Sequence, residues 1–221
     1  PADIKKAGQM VPRWGNSTAE EHLLQEKSRV ISELQISRLS YVGSNSVTAK
    51  SIEQSFIKFL KVFDKHLQSF AFILGGRPSS CDFAIFGQLS CMALFDPTPQ
   101  TLILEYSPRV YAWTETMEDL SGYELLDDDW MNPSRLPESL VELLGEIGLV
   151  YSPYLLANAE AHQKGQKHFQ CEIDGRDWHQ STFPYQAKCL KWSRDLYSEL
   201  DANSKAQVTT LCNLTNNAKL L

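Results

Sequence analysis

Apolar residues recur at helical spacing along the first part of the chain. Spacings of three and four residues predict one helix from about residue 18 and a second over roughly 49–70. The apolar positions of the two helices are Leu23, Leu24, Val30, Ile31 and Leu34, then Ile52, Phe56, Phe59, Leu60, Phe63, Leu67 and Phe70. Thr18 and Glu21 have the T-x-x-E spacing of a capping box, in which two side chains satisfy amides at a helix start. We therefore expect the first helix to begin just after Thr18.

A third helix is predicted after the loop Gly75-Gly76-Arg77-Pro78. Apolar residues cover nearly its whole circumference over residues 81–94, which is typical of a helix buried on all sides. Ser79 and Asp82 stand at S-x-x-D spacing, so the hydroxyl can accept from the amide of Asp82 while the carboxylate accepts from the amide of Ser79. The prolines of Asp96-Pro97-Thr98-Pro99 are expected to end the helix.

The last seventy residues change in character. Residues 169–180 alternate in polarity around Asp174-Gly175, which is the strongest short signal for a β-hairpin. Further helices are predicted to start at Pro108, near Ser134 or Leu136, at Pro153, at Pro184 and at Ser204. The pattern as a whole predicts an all-α fold with a small two-stranded β-ribbon and extra helices at the C-terminal end.

Composition and charge exclude several classes of protein. The 221 residues are 43% hydrophobic and 22% charged, as in an ordinary globular protein. The net charge is −6 and there is no basic stripe, so we expect no nucleic-acid partner. No run approaches the roughly 18 to 20 consecutive apolar residues of a membrane span and no signal peptide opens the chain, so we expect a cytoplasmic protein without a membrane partner.

The five cysteines are scattered and odd in number, without C-x-x-C spacing, which favours reduced thiols over a disulfide framework. Cys81, in the first turn of the third helix, is expected to pack and not to react, because burial opposes ionisation of a thiol. His162, His168, Cys171 and His179 cluster in sequence, but their spacing is not that of a zinc site, and we expect no metal. The acidic run Asp127-Asp128-Asp129 is predicted to be a solvated loop.

The stretch from Gly75 to Leu89 resembles the core motif of the C-terminal domain of cytosolic glutathione S-transferases, in which G-x-x-P-[ST]-x-x-D starts the central helix. Residues 95–99 and 107–113 are similar to the loop and the helix that follow in that family. The resemblance covers roughly residues 18–120. The stretch Trp178 to Trp192 is similar to a C-terminal extension of poorly characterised glutathione-transferase-like proteins.

This resemblance implies a fold, a division of the chain and a function. It implies an initial segment (1–17) leading in from a missing N-terminal part, a glutathione-transferase C-terminal-like helical bundle (18–149) and an extension packed on it (150–221). In such proteins a thioredoxin-like N-terminal domain holds and ionises glutathione. The helical domain supplies one wall of the site for a small electrophilic substrate and most of a homodimer contact. The complete protein is then expected to transfer glutathione to an electrophile, whereas the isolated chain holds no catalytic residue and is expected to be inactive.

Five residues are candidates for the substrate pocket: Arg13, Trp14, Tyr185, Gln186 and Lys188. In the family the chain that enters the helical domain and the C-terminal segment both border the electrophile site, and these side chains combine aromatic faces with polar tips. The alternative is that Tyr185 and Trp192 pack the extension onto the bundle and that Lys188 is solvated. For the whole chain, the alternative function is a non-catalytic protein-interaction module of the same fold.

Overall fold

The chain is built mainly from helices, and the computed structural model describes residues 2–221. Helices make up 68% of it, and a two-stranded antiparallel sheet is its β-structure, which confirms the predicted all-α class with a small ribbon. The α-helices are α1 (Ala2–Gly15), α2 (Glu21–Arg38), α3 (Ala49–Leu67), α4 (Ser80–Leu94), α5 (Pro97–Tyr106), α6 (Pro108–Met117), α7 (Glu138–Glu146), α8 (Ser152–Gln163), α9 (Pro184–Glu199) and α10 (Ala202–Leu214). The strands are β1 (His168–Ile173) and β2 (Arg176–Ser181).

The chain divides into two compact units. The first unit comprises residues 2–39 and Asp64–Trp130, and the second comprises Ser40–Phe63 and Met131–Leu221. In the first unit, α1 packs on α2 and α5, and α4 packs on α5 and α6. In the second unit, α8 packs on α9 and β1. The boundaries at residues 18 and 150 implied by the family resemblance stay a prediction.

The start of the first unit differs from the expectation, since α1 forms where no helix was predicted before residue 18. Pro12 lies inside this helix, and two glycines, Gly8 and Gly15, lower its intrinsic propensity, which hides the helix in the sequence. Gly8 has a packing reason, because a Cβ atom there would lie 2.6 Å from the hydroxyl oxygen of Ser28 on α2. Tertiary packing therefore overrides weak local propensity.

The predicted capping box at Thr18 is wrong. Helix α2 begins at Glu21 with Glu20 as its N-cap residue, and no side chain caps it. The Thr18 hydroxyl instead donates to Oδ1 of Asn16 at 3.1 Å, because a neighbouring Asn side chain competes with the helix amides in a turn. The last helix, α10, differs in the opposite direction, because it begins earlier than predicted, at Ala202. Its cap is Asp201, whose Oδ1 accepts from the amide of Ser204 at 3.1 Å.

The prediction that α4 is buried on all sides is also wrong. Leu89 and Ala93 are buried, but the side chain of Phe83 is 52% exposed and Cys91 is exposed. An apolar residue on every face of a short helix does not by itself bury every face. After α4, the two prolines that end it do not open a loop, because Pro97 is the first residue of α5, where a missing amide hydrogen costs nothing.

The predicted hairpin is confirmed. Strands β1 and β2 pair antiparallel and are joined by Asp174 and Gly175, both with positive φ (51° and 69°), as a type I′ turn requires. Residues 169, 171 and 173 of β1 share one face with residues 176, 178 and 180 of β2. Phe169, Ile173 and Gln180 are buried on that face, so this face carries the contact of β1 with α8.

Helix α7, a π-helical segment (Ile147–Tyr151) and α8 form one continuous helix, Glu138–Gln163. Among the helices of the described residues, this one is long and apolar enough to cross a membrane, with a mean hydropathy of 1.4. Core helices of globular proteins meet the same criterion of length and composition. Only 22% of that apolar stretch is buried, and its C-terminal part, α8, packs against α9 and β1.

Candidate functional site

The first two predicted pocket residues lie in the last turn of α1. The guanidinium of Arg13 donates to Oε2 of Glu21 at 2.8 Å and to the carbonyl of Gln9 at 2.6 Å, so its charge is already paired. Trp14 is 63% exposed, with its ring centroid 4.8 Å from that of Phe95. Of this pair, Trp14 is the side chain that offers free surface to a ligand.

The other three predicted residues lie at the start of α9, in the second unit. Tyr185 is 67% exposed and meets the ring of Trp192 edge to face, while Nζ of Lys188 lies 4.7 Å from the centroid of the same ring. The Gln186 side chain instead accepts a hydrogen bond from the Tyr154 hydroxyl on α8. The structure thus brings Tyr185 and Lys188 together at Trp192 and places Gln186 in a different cluster.

A chain of hydrogen bonds connects Gln186 to the β-ribbon. The indole nitrogen of Trp178 donates to Oε1 of Gln180 at 2.9 Å, and Nε2 of Gln180 donates to the Tyr154 hydroxyl oxygen at 3.1 Å. The Tyr154 hydroxyl donates in turn to Oε1 of Gln186. We refer to these four residues as the Tyr154 network.

Trp178 determines which groups of the Tyr154 network donate and which accept. An indole N–H can only donate, so Gln180 must present its oxygen to Trp178 and its amide nitrogen to Tyr154. Tyr154 then donates to the Gln186 oxygen, which leaves the two N–H groups of Gln186 at the far end of the network. Those N–H groups have no protein acceptor among residues 2–221. The network therefore ends in a pair of donors, which suits an acceptor oxygen of a ligand.

Aromatic rings surround the phenol of Tyr154. Its centroid lies 5.4 Å from that of Phe169 and 5.8 Å from that of Tyr151. Burial raises the pKa of Tyr154 and also that of Tyr151, so both phenols stay protonated at neutral pH and act as neutral donors. Burial likewise raises the pKa of the Cys171 thiol, which lies close to Tyr154. The cluster can hold and orient a ligand, but it contains no activated nucleophile.

The π-helical segment places Tyr151 beside this cluster. At Gly148 a Cβ atom would lie 1.9 Å from the carbonyl oxygen of Thr215, so the chain after α10 approaches the helix backbone directly. Nδ2 of Asn217 donates to the carbonyl of Leu144 at 2.8 Å. A π-helical turn releases carbonyls from the regular α-helical pattern, and Asn217 supplies a donor in their place. Tyr151 and Tyr154 are three residues apart on the continuous helix, so their side chains lie on the same face.

The predicted capping residues lie at the start of α4 in the first unit. The amide of Ser79 donates to Oδ2 of Asp82 at 2.9 Å, and the Ser79 hydroxyl donates to the same oxygen at 2.5 Å. The other carboxylate oxygen accepts from the amide of Ile73 at 2.8 Å. The Asp82 side chain is fully buried, so the carboxylate ties the loop before α4 to the helix start. Burial raises the pKa of the neighbouring Cys81 thiol, which disfavours a thiolate there.

The predicted cysteine and histidine cluster separates across the ribbon. His168 and His179 lie on the exposed face, whereas Cys171 lies on the opposite face, with Phe169. Within residues 2–221, no three His, Cys, Asp or Glu side chains converge as metal ligands. The five cysteines are all free thiols.

Comparison with known proteins adds no relative: no family model, no curated protein and no solved structure matches the chain.

Sequence reasoning found Gln186 but missed Tyr151, Tyr154 and Gln180. The signal for Gln180 was present, since the period of the hairpin puts this polar side chain on the same face as Phe169. A buried glutamine needs partners, so it marks a polar network. No comparable signal marks Tyr151 or Tyr154, because the hydrogen bonds of Tyr154 join α8 to β2 and α9, which are distant in sequence.

Proposed function

We propose that this chain is the acceptor-holding helical part of a glutathione S-transferase-like protein. The observation that carries the proposal is the start of α4, where the G-x-x-P-S-x-x-D stretch folds around the buried carboxylate of Asp82. The motif has a specific physical purpose, because a helix that starts inside protein must satisfy its first amides without water. The proposal of this fold family is thus supported by a local arrangement at one helix start and by the resemblance of residues 75–89.

In the complete protein, the proposed reaction is the attack of glutathione thiolate on a small electrophile. A thioredoxin-like domain N-terminal to this chain would bind glutathione and lower the pKa of its thiol. Partial burial raises the pKa of the Cys81, Cys171 and Cys212 thiols, so these three side chains do not favour a thiolate of their own. The proposed setting is the cytoplasm, where glutathione is the abundant thiol.

The role of this chain in the reaction is to hold the acceptor. The N–H pair of Gln186 and the phenol of Tyr151 are neutral donors next to aromatic rings. They fit an aromatic electrophile that carries a carbonyl or nitro oxygen, since the rings pack on the aromatic body and the donors bind the oxygen. Holding the acceptor in place lowers the entropic part of the barrier. Arg13, Trp14, Tyr185 and Lys188 stay predicted pocket residues.

The division of labour is tested first by kinetics. The purified chain, mixed with glutathione and a generic aromatic electrophile, should show only the uncatalysed rate, because an un-ionised thiol is a poor nucleophile. Turnover that saturates with glutathione would contradict the proposal.

Acceptor binding is tested separately by quenching of tryptophan fluorescence with an aromatic nitro compound. Gln186→Leu should weaken binding about fivefold to twentyfold, since one hydrogen bond to a neutral acceptor is lost. Gln207→Leu, at an exposed position on α10, is the matched control and should bind like the natural chain. Equal binding by both variants would remove Gln186 from the site.

The second candidate function is a non-catalytic interaction module of the same fold. It is favoured by the exposed apolar side chains on α2 and α9, among them Val30, Leu34, Trp192 and Leu196. Large exposed apolar residues mark surfaces that bind other proteins. The fluorescence titration distinguishes the two functions, because a docking module has no reason to bind the small acceptor at Gln186.

A further inference from the structure

We propose that the exposed face of the β-ribbon binds a divalent transition-metal ion through His168 and His179. This inference is independent of the proposed transferase function and concerns a different face of the second unit. The rings of the two histidines stack with centroids 5.4 Å apart and planes inclined by 15°. Their positions are diagonal across the ribbon, since His168 pairs with Ser181 and His179 pairs with Gln170.

The distance between the rings suits two ligands of one ion. Metal to imidazole nitrogen distances are about 2.0 to 2.1 Å, so two nitrogens on one ion lie about 3 Å apart. Rings whose centroids are 5.4 Å apart reach that separation by rotation about their own side-chain bonds, with the backbone in place. A rigid antiparallel pairing therefore presents two ligands that are already close.

The surroundings of the two rings form a site. A shallow depression of about 390 Å³ is lined by Gln166, His168, Phe169, Gln170 and His179. Gln170 lies on the same face, two positions after His168 on β1 and directly opposite His179, and it carries a carboxamide oxygen that can serve as a third ligand. Two imidazoles with open remaining positions suit nickel, zinc or copper better than the oxygen-preferring magnesium or calcium.

Charge favours a cation over an anion at this face. Glu172 and Asp177 pair directly across the ribbon, next to the histidine pair and on the same exposed face. Two adjacent carboxylates repel each other when nothing neutralises them, and a bound divalent ion lowers that repulsion. The same carboxylates would weaken binding of phosphate or another anion.

Calorimetric titration of the 221-residue chain with Ni²⁺ tests the proposal. Nickel prefers imidazole and, unlike copper, does not oxidise the free thiols, which a phosphine reductant keeps reduced. We expect binding of a single equivalent. His168→Ala and His179→Ala should each weaken binding about tenfold or more, because each removes one of two nitrogen ligands. His22→Ala, at an exposed histidine on α2, is the matched control and should leave binding unchanged.

A second measurement does not depend on variants. In NMR spectra of the natural chain, paramagnetic Ni²⁺ should broaden the amide resonances of residues 166–170 and 179–181 before any others. Absence of binding, equal binding by the His168→Ala variant, or broadening centred on another part of the chain would each overturn the proposal. Titration with inorganic phosphate should give no binding at this face, and phosphate binding that depends on the two histidines would show an anion site instead.

Discussion

Two buried polar side chains, Asp82 in the first unit and Asn217 in the second, form their hydrogen bonds with different chemistry. In the first unit the acceptor is a carboxylate, Asp82, which bonds with amides three and nine residues away. In the second unit it is a carboxamide, Asn217, which bonds with Ser152 and Leu144, 65 and 73 residues away. A carboxylate only accepts, whereas a carboxamide both donates and accepts and can therefore join two segments.

The two sets of hydrogen bonds differ in how far apart in sequence the bonded groups lie. The cap of the first unit is a local arrangement around one helix start. The polar contacts of the second unit join distant segments, as in the pairing of Asn158 with the backbone of Phe183 and in the Tyr154 network. The cap at Asp82 should therefore be sensitive to a change at a single residue, whereas these contacts of the second unit should be sensitive to loss of sequence-distant parts.

The largest expected effect comes from expressing residues 150–221 alone. The fragment lacks Leu144, Gly43 and Ser51, against which Asn217, Trp178 and Arg176 are held in the whole chain. About seventy residues without a disulfide, and with no metal ion added, barely offset their chain entropy, and an isolated hairpin is marginal in water. We expect circular dichroism and NMR amide dispersion to show a largely unfolded fragment. A cooperative thermal transition of the fragment would instead show that the extension is a domain by itself.

The next largest effect is expected for Asp82→Ala. This change leaves the amides of Ser79 and Ile73 without their acceptor inside the first unit, which should cost about 2 to 4 kcal/mol in the free energy of unfolding. Urea denaturation measures this loss. Asp201→Ala removes the cap of α10 at an exposed position, where water replaces the lost bonds, and should cost less. Equal losses for the two variants would show that burial of the carboxylate does not matter.

A smaller effect is expected for Asn217→Ala in the second unit. The change removes the donor to the Leu144 carbonyl and the acceptor of the Ser152 hydroxyl, so we expect a loss of about 1 to 3 kcal/mol. Asn213→Ala, at an exposed position on α10, should change stability by less than about 0.5 kcal/mol. Urea denaturation of both variants measures the change in the free energy of unfolding. If Asn217→Ala is as neutral as its control, the contact after α10 is not a stabilising one.

The smallest expected effect is a loss of stability at acid pH that depends on His66. Burial lowers the pKa of His66 below the usual 6.5, and its Nε2 lies 3.2 Å from the carbonyl oxygen of Phe72. Below about pH 6.5 the His66 ring is therefore protonated more readily in the unfolded chain than in the folded one. The free energy of unfolding should fall as the pH drops through this range. The melting temperature of a His66→Gln variant should fall less between about pH 7 and about pH 5.5 than that of the natural chain. Parallel curves would show that His66 does not contribute to acid sensitivity.

Local patterns accounted for much of the secondary structure. The hairpin at Asp174-Gly175 and the S-x-x-D start of α4 follow from turn and capping chemistry that acts over a few residues. The same reasoning failed at Thr18, where an equally good capping pattern lost to a turn with Asn16. It also failed for α1, where proline and glycine hide a helix whose partner, α2, is needed to stabilise it.

The helical class, the ribbon and the cap at Asp82 follow from sequence patterns, because they depend on residues within a few positions of one another. The two-residue turn of the ribbon also fixes its register, which puts His168 and His179 on one face. The Tyr154 network and the π-helical segment beside Gly148 depend on the tertiary structure, because they require contacts between elements that are distant in sequence. A capping bond forms between sequence neighbours, whereas the partners of a buried carboxamide are the groups that the fold places next to it.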